Sequence, residues 1–147
     1  MPASNKFSKF LRLEYREKKL LFWLFWASGK IHYFLRFKGY AKMLELLKKK
    51  PPPKYNLTHM SPAELGRMVN AATFAIIDRE KACLRSSMLL WWLLNNNDID
   101  AILCRGLRFD KQKLEGHAWV EVDGLTVNDR KHIADEYHNV TREIWSQ

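Results

Sequence analysis

Residues 83–97, CLRSSMLLWWLLNNN, place the tightest constraint on what this chain can fold into. From Met88 to Leu94 every side chain is apolar, so a helix here has no polar face to turn to water. Such a helix is stable only when neighbours cover it on several sides. The chain has the material to do so. It holds 147 residues, 47% of them hydrophobic, which suits one compact domain with a real core. An aromatic content of 13% and strong apolar periodicity argue against disorder. Asn95 to Asp98 can end the helix, because Asn and Asp tolerate the left-handed conformation.

The covering elements are legible on both sides. SPAELGRMVNAATFAIIDRE (61–80) predicts a helix: Ser61 caps it, Pro62 sits at its first position and Glu64 completes a capping box. Leu65, Met68, Val69, Ala72 and Ile76 form its apolar stripe. Residues 7–49 read as helical and rich in aromatics, with breaks expected at Gly29 and Gly39. KKKPPPK (48–54) stops that region, since three prolines cannot continue a helix. Downstream, residues 100–109 read as a strand, 110–116 as a polar loop and 117–129 as a strand pair. Helices followed by antiparallel strands give an α+β domain spanning 1–147. Within it, 1–54 is a basic, aromatic helical region and 55–147 the core. There is no internal repeat, no P-loop and no dinucleotide fingerprint.

The net charge of +9 is unevenly spread. Residues 1–54 carry 14 Lys+Arg against 3 Asp+Glu, while the remainder carries 11 against 13. A basic face suits nucleic acid, anionic lipid or an acidic partner, or it is simply solvated. The two cysteines, Cys83 and Cys104, form no CxxC pair, which fits neither a disulfide framework nor a zinc site and agrees with a reducing, cytoplasmic setting. The apolar run from Leu20 is interrupted by Lys30, too early for a membrane span. A signal peptide would need a long n-region containing Glu14 and Glu17, a poor fit.

Cys83, His117 and Asp129 are the candidate chemical groups. Cys83 stands where the buried helix begins, and a helix start favours a thiolate through its partial positive charge and free amides. Such amides also stabilise the oxyanion of an acyl-transfer intermediate. His117 and Asp129 lie at the ends of the segment GHAWVEVDGLTVND (116–129), whose turn is at Asp123-Gly124. A two-residue turn pairs Val122 with Leu125, sets His117 opposite Arg130 and sends Asp129 to the face away from His117. A three-residue turn pairs Glu121 with Leu125 and sets His117 directly opposite Asp129. The sequence does not choose between the two turns; a Cys–His–Asp arrangement requires the second. Cys104 lies mid-strand and reads as core. His132 and His138 lack metal-ligand spacing, while His32 and His59 are explained by packing and capping. Arg85 is either an anion contact or exposed, and Asp78 and Glu80 read as solvated surface.

The combination CLRSSMLLWWLLNNNDIDAILCRGLRF, HAWVEVDG and ND closely resembles the leader peptidases of lasso peptide biosynthesis, bacterial cysteine proteases of transglutaminase-like, papain-related fold. The likeness covers about residues 60–140. It implies a helical N-terminal region packed on a papain-like core with a buried active-site helix and a small antiparallel sheet. It carries the nucleophile onto Cys83, the general base and acid onto His117 and the orienting carboxylate onto Asp129. Two positions depart from the family pattern: Ser86 stands where an Arg is common, with Arg85 one earlier, and Asp98 stands where Gly is common. The resemblance further implies cleavage of a leader from a ribosomally made precursor peptide, before a separate ATP-dependent cyclase closes the macrolactam. The chemistry requires no cofactor, neither metal nor nucleotide. Residues 1–54 do not read as a strand-rich binding module, so a separate leader-recognition protein is the expected partner, with the cyclase. Another transglutaminase-like acyltransferase, with an amine in place of water, would use the same three residues. A nucleic-acid-binding module leaves their placement unexplained. The basic helices pack on the core and offer a docking face to these partners or to the membrane surface.

Overall fold

The computed structural model describes residues 8–51 and 56–145. Among the described residues, a short helical segment at 8–11 and four longer helices precede a sheet: α1 (Tyr15–Lys38), α2 (Tyr40–Lys49), α3 (Pro62–Phe74) and α4 (Arg79–Asn95). Strands β1 (Ala101–Asp110), β2 (Lys113–Val122), β3 (Leu125–Thr126) and β4 (His138–Ile144) follow, with a short 3-10 turn at Ile133–Glu136. They form one antiparallel sheet in the order β3-β2-β1-β4. This is the expected α+β arrangement. No described helix is long and apolar enough to cross a membrane.

As its composition demands, α4 is covered on several sides: it packs against α1, α3, β1 and β2. Met88, Leu89, Leu90, Trp91, Leu93 and Leu94 are completely buried. At its end, the side-chain amides of Asn95, Asn96 and Asn97 each donate to the carbonyl four residues back. Asn95 also exchanges two hydrogen bonds with the backbone of Ala101, tying the helix to the start of β1. Asp98 takes the left-handed conformation (φ 60°) that the asparagines do not.

Ser61 and Glu64 form the expected reciprocal cap of α3. The helix stops at Phe74 rather than running to residue 80, and a tight turn through Ile77 leads to α4. No Gly or Pro marks this break, and the apolar stripe misleads beyond it: Leu65, Val69 and Ala72 are buried, whereas Ile76 is exposed. The break is what lets α3 fold back along α4. In the other helical region, Gly39 (φ 81°) separates α1 from α2, but α1 runs through Gly29 without interruption. The Ser28 hydroxyl of α1 meets that of Thr73 in α3 at 2.9 Å, a buried polar contact between the two helices.

The β1–β2 turn is only Lys111-Gln112, both left-handed, so 113–116 belongs to a strand rather than to a polar loop. The polarity there serves a solvated hairpin, in which Arg108 pairs with Glu115 at 3.1 Å. The second hairpin takes the two-residue turn: Val122 pairs with Leu125, and Asp123 and Gly124 are both left-handed (φ 52° and 76°). The three-residue turn expected from the chemistry is not formed. The ladder ends almost at once. Val127 still donates to Val120 O at 3.0 Å, but Val120 N donates to the Asn128 side chain at 2.8 Å instead of to a backbone carbonyl. From there the chain bends off the sheet.

The bend is packed tightly against α3, where a Cβ added at Gly66 would meet Val127 O at 2.5 Å. Gly66→Ala is therefore expected to destabilise the protein by about 1–3 kcal/mol. Gly29→Ala, with nothing within 4 Å of the added carbon, should stabilise it by up to ~1 kcal/mol. Urea unfolding of the two variants checks both signs.

Candidate active site

The site grows from one unpaired stretch of sheet edge. In β2 the backbone groups of Ala118, Val120 and Val122 point toward β3. Because β3 stops at Thr126, Ala118 has no strand partner on that side. The first half of α4 fills the gap. Ser87 Oγ donates to Ala118 O at 3.1 Å, and Ala118 N–H points at the Cys83 thiol. Cys83 and Ser87 are four residues apart and share one face of the helix. Cys83 is thus the fifth residue of α4, not its first as expected, because the helix begins at Arg79. The thiol is held by the amides of Leu84 and Ala118, one from the helix and one from the strand.

Asn128 braces the bend from three directions. Its Oδ1 accepts from Val120 N, its Nδ2 donates to Ser87 Oγ at 2.9 Å, and its carbonyl accepts from Asn70 Nδ2 of α3 at 2.9 Å. The bend delivers Asp129 to the His117 face of the sheet despite the two-residue turn. Asp129 Oδ2 lies 2.6 Å from His117 Nε2, and Oδ1 accepts from Arg130 N at 2.7 Å. The other ring nitrogen of His117 is left for the Cys83 thiol, with which the imidazole is hydrogen-bonded. The three side chains singled out in the sequence are therefore brought together, His117 lying between Asp129 and Cys83.

The imidazole is clamped as well as bonded. Tyr137, which follows the 3-10 turn, stacks on it with ring centroids 5.3 Å apart and planes 17° apart. That contact needs Gly106, which pairs with His117 across β1–β2: a Cβ there would meet Tyr137 Cβ at 2.5 Å. Trp119, two residues from His117 on the same strand face, is buried and donates from Nε1 to Glu121 at 3.0 Å.

The electrostatics follow the geometry. The hydrogen bond to Asp129, then that to the Cys83 thiol, lift His117 to about 9 against the cost of its burial. Burial works to raise the Cys83 pKa, but the His117 hydrogen bond and charge and the two amides outweigh it, and the thiol lies below its ordinary value. Burial likewise opposes ionisation of Asp129; the bonds from His117 and Arg130 N prevail and hold it below the usual carboxylate range. The arrangement favours a thiolate beside an imidazolium. A cleft of about 390 Å³ opens onto Cys83 and His117, walled by Glu80, Lys81, Arg85, Arg105 and Thr141 among others.

The remaining sequence candidates lie elsewhere. Cys104 is buried under Trp119, and burial, then the charge of Glu121, push its thiol up to about 12. Arg85 lines the cleft and donates from Nε to His32 Nδ1 of α1 at 2.7 Å, so His32 is not merely packed. His132 is exposed beside Asp135, and no cluster of His, Cys, Asp or Glu among the described residues could hold a metal. Sequence reasoning missed Asn128, Ser87, Asn70 and Tyr137. Asn128 lay inside the quoted ND pair; the others act across long chain separations that no local pattern reveals.

A sequence model of the transglutaminase-like superfamily matches residues 25–142, most of the chain. No curated protein and no solved structure matches it.

The two thiols should differ sharply in reactivity. Iodoacetamide at neutral pH is expected to label Cys83 and leave Cys104 untouched in the folded protein, read by peptide mass mapping. Asp129→Asn, by withdrawing the charge that holds the imidazolium, should move the pH midpoint of Cys83 labelling upward. Equal labelling of both cysteines would contradict this assignment.

Proposed function

The chain belongs to the transglutaminase-like superfamily, and on that premise we propose that it is a cysteine peptidase that cleaves the leader from a ribosomally made lasso precursor peptide. The observation that carries the enzymatic part is His117 bonded to Asp129 on one side and to the Cys83 thiol on the other. The substrate class rests on the resemblance of the segments around Cys83, His117 and Asp129 to lasso leader peptidases.

In this mechanism the Cys83 thiolate attacks the scissile carbonyl and forms a tetrahedral intermediate. His117, protonated through Nδ1 toward the thiol, gives that proton to the departing amine as the C–N bond breaks. The leader's carbonyl is then a thioester on Cys83. His117 takes a proton from water, the hydroxide adds to the thioester, and the free leader acid leaves as the thiolate is restored. Asp129 remains ionised throughout and holds the ring in the tautomer and orientation both steps need. The stack of Tyr137 on the imidazole restricts the ring to that plane. The precursor reaches the cleft with a separate leader-recognition protein, and the freed core amine passes to the ATP-dependent cyclase.

Incubation of precursor and leader-recognition protein with the enzyme is expected to release a leader ending in a free carboxylic acid, detected by mass spectrometry. An amide at that end would instead assign transfer to an amine, the acyltransferase reading. Cys83→Ala should abolish release, and cleavage surviving in that variant would overturn the mechanism. His117→Ala should lower turnover by roughly 10²–10⁴-fold.

The pH profile has a defined sign. The imidazolium is lost as pH rises through about 9, so kcat/KM is expected to fall above that value. On the acid side activity falls as the depressed Cys83 thiol takes up its proton. Asp129→Asn should draw the alkaline limb toward neutrality. A limb that stays at the wild-type position in that variant would argue against the role given to Asp129.

A further inference from the structure

Helix α1 has two apolar faces, and the fold uses only one. Leu20, Leu24, Ala27 and Ile31 are buried on the inner face, which packs against α3 and α4. On the outer face Tyr15, Phe22, Trp26, Tyr33 and Phe37 recur at alternating steps of seven and four residues. At 100° per residue these steps keep all five on one side of the helix. Each is between 58% and 72% exposed. The row runs about 33 Å at 1.5 Å per residue. Five large exposed rings on one side of a single helix are more than the singly scattered apolar residues of ordinary surface, and point to a contact.

We propose that this face of α1 lies on an anionic phospholipid bilayer, rings among the headgroups and flanking lysines against the lipid phosphates. Three observations favour that occupant. The first is charge. Six Lys and Arg residues accompany a single acid, Glu17, between residues 15 and 38, and Glu17 falls on the side of the helix away from the rings. The second is how the cations sit beside the rings. Lys19 Nζ is 4.9 Å from the Tyr15 ring centroid and Lys30 Nζ 4.2 Å from that of Trp26. Aromatic rings beside ammonium groups are the side-chain pairing of a membrane interface, where one part meets acyl chains and the other phosphate. The third is an adjoining apolar groove of about 290 Å³ between α1 and α2, shared by Trp26 and Phe34, whose two charged lining residues are Lys30 and Lys50. Its chemistry suits an acyl chain with its anionic headgroup at the lysines.

A bilayer also fits the shape. Rings along one side of a helix meet a deformable lipid surface without needing a complementary cleft. On the flank of the same helix, His32 bonds Arg85 at the rim of the Cys83 cleft. Binding through α1 would therefore bring the cleft beside the lipid surface.

The test is co-sedimentation of the full chain with large unilamellar vesicles. One set holds equal parts phosphatidylcholine and phosphatidylglycerol, the other phosphatidylcholine alone. The protein is expected to pellet with the anionic vesicles, to stay in solution with the neutral ones, and to be released as salt rises. Combined Lys18→Gln, Lys19→Gln and Lys30→Gln should weaken partitioning on the order of a hundredfold. Combined Phe22→Ser, Trp26→Ser and Phe37→Ser should abolish it, with folding checked by circular dichroism. Phe109→Ser, at an equally exposed ring on the sheet hairpin, should leave it unchanged. Wild type remaining in solution with anionic vesicles would overturn the proposal, whether or not α1 then mediates self-association or captures a protein. So would full binding by either α1 variant.

Discussion

The structure depends on one unmet pair of backbone groups, the N–H and C=O of Ala118. A backbone donor and acceptor beside a buried helix must find partners or destabilise the fold by roughly 1–3 kcal/mol apiece. Had β3 run on for three more residues, its backbone would have supplied them, and the edge of β2 would be an ordinary ladder. Because β3 stops, the partners come from α4: the Ser87 hydroxyl for the carbonyl and the Cys83 sulfur for the amide. The defect in the sheet is thus what fixes the helix to it, in both height and rotation. The Cys83 thiol is thereby held against the sheet by the amide of Ala118.

The same truncation explains Asp129. A regular two-residue hairpin would carry it away from His117, since each step along a strand reverses the side-chain direction. The chain escapes that rule by leaving the ladder at Val127. Asn128 then behaves as a backbone substitute: its side-chain oxygen takes the place of a strand carbonyl for Val120, and its amide group reaches Ser87. Asn70 and the bare Cα of Gly66 hold the bend from the α3 side. Thus α3 supports the candidate site without lining its three titrating groups. The capping box that starts α3 and the turn that ends it at Phe74 together set where Gly66 and Asn70 meet the bend.

What could be read from the sequence divides along physical lines. The buried helix was visible because a segment apolar all round admits one environment. Cys83, His117 and Asp129 were visible because their residue types and elements suit acyl transfer. The contact of His117 with Asp129 does not come from the expected three-residue turn, because the chain beyond Thr126 leaves the regular ladder. The Asp-Gly pair did specify its local turn correctly as one of the two readings; what it could not specify was where pairing stops. That depends on Asn128, whose competing hydrogen bonds come from residues 58 and 41 positions away. Similarly, no local signal separates Ile76, exposed beyond the end of α3, from a fourth turn of an amphipathic helix. Tyr137 was illegible for the same reason: its partner is the missing side chain of Gly106, and an absence has meaning only across a sheet.

The imidazole shows why these restraints must act together. A surface histidine rotates freely and titrates near its ordinary value, and a neighbouring thiol then keeps its proton. Here the Asp129 carboxylate favours the imidazolium from one side and the thiolate favours it from the other, each strengthening the other's charge. That reinforcement is available only while the ring stays between them. Burial alone would work against both ions. The stack with Tyr137, the bend braced by Asn128 and the helix docked through Ala118 each hold a different member of the group. The shifts of Cys83, His117 and Asp129 are thus coupled, since each has its neighbour in the group among its causes. The long-range packing of α1, α3 and the sheet around α4 is in this sense part of the site's electrostatics, because it keeps three titrating groups together in a partly dry cleft.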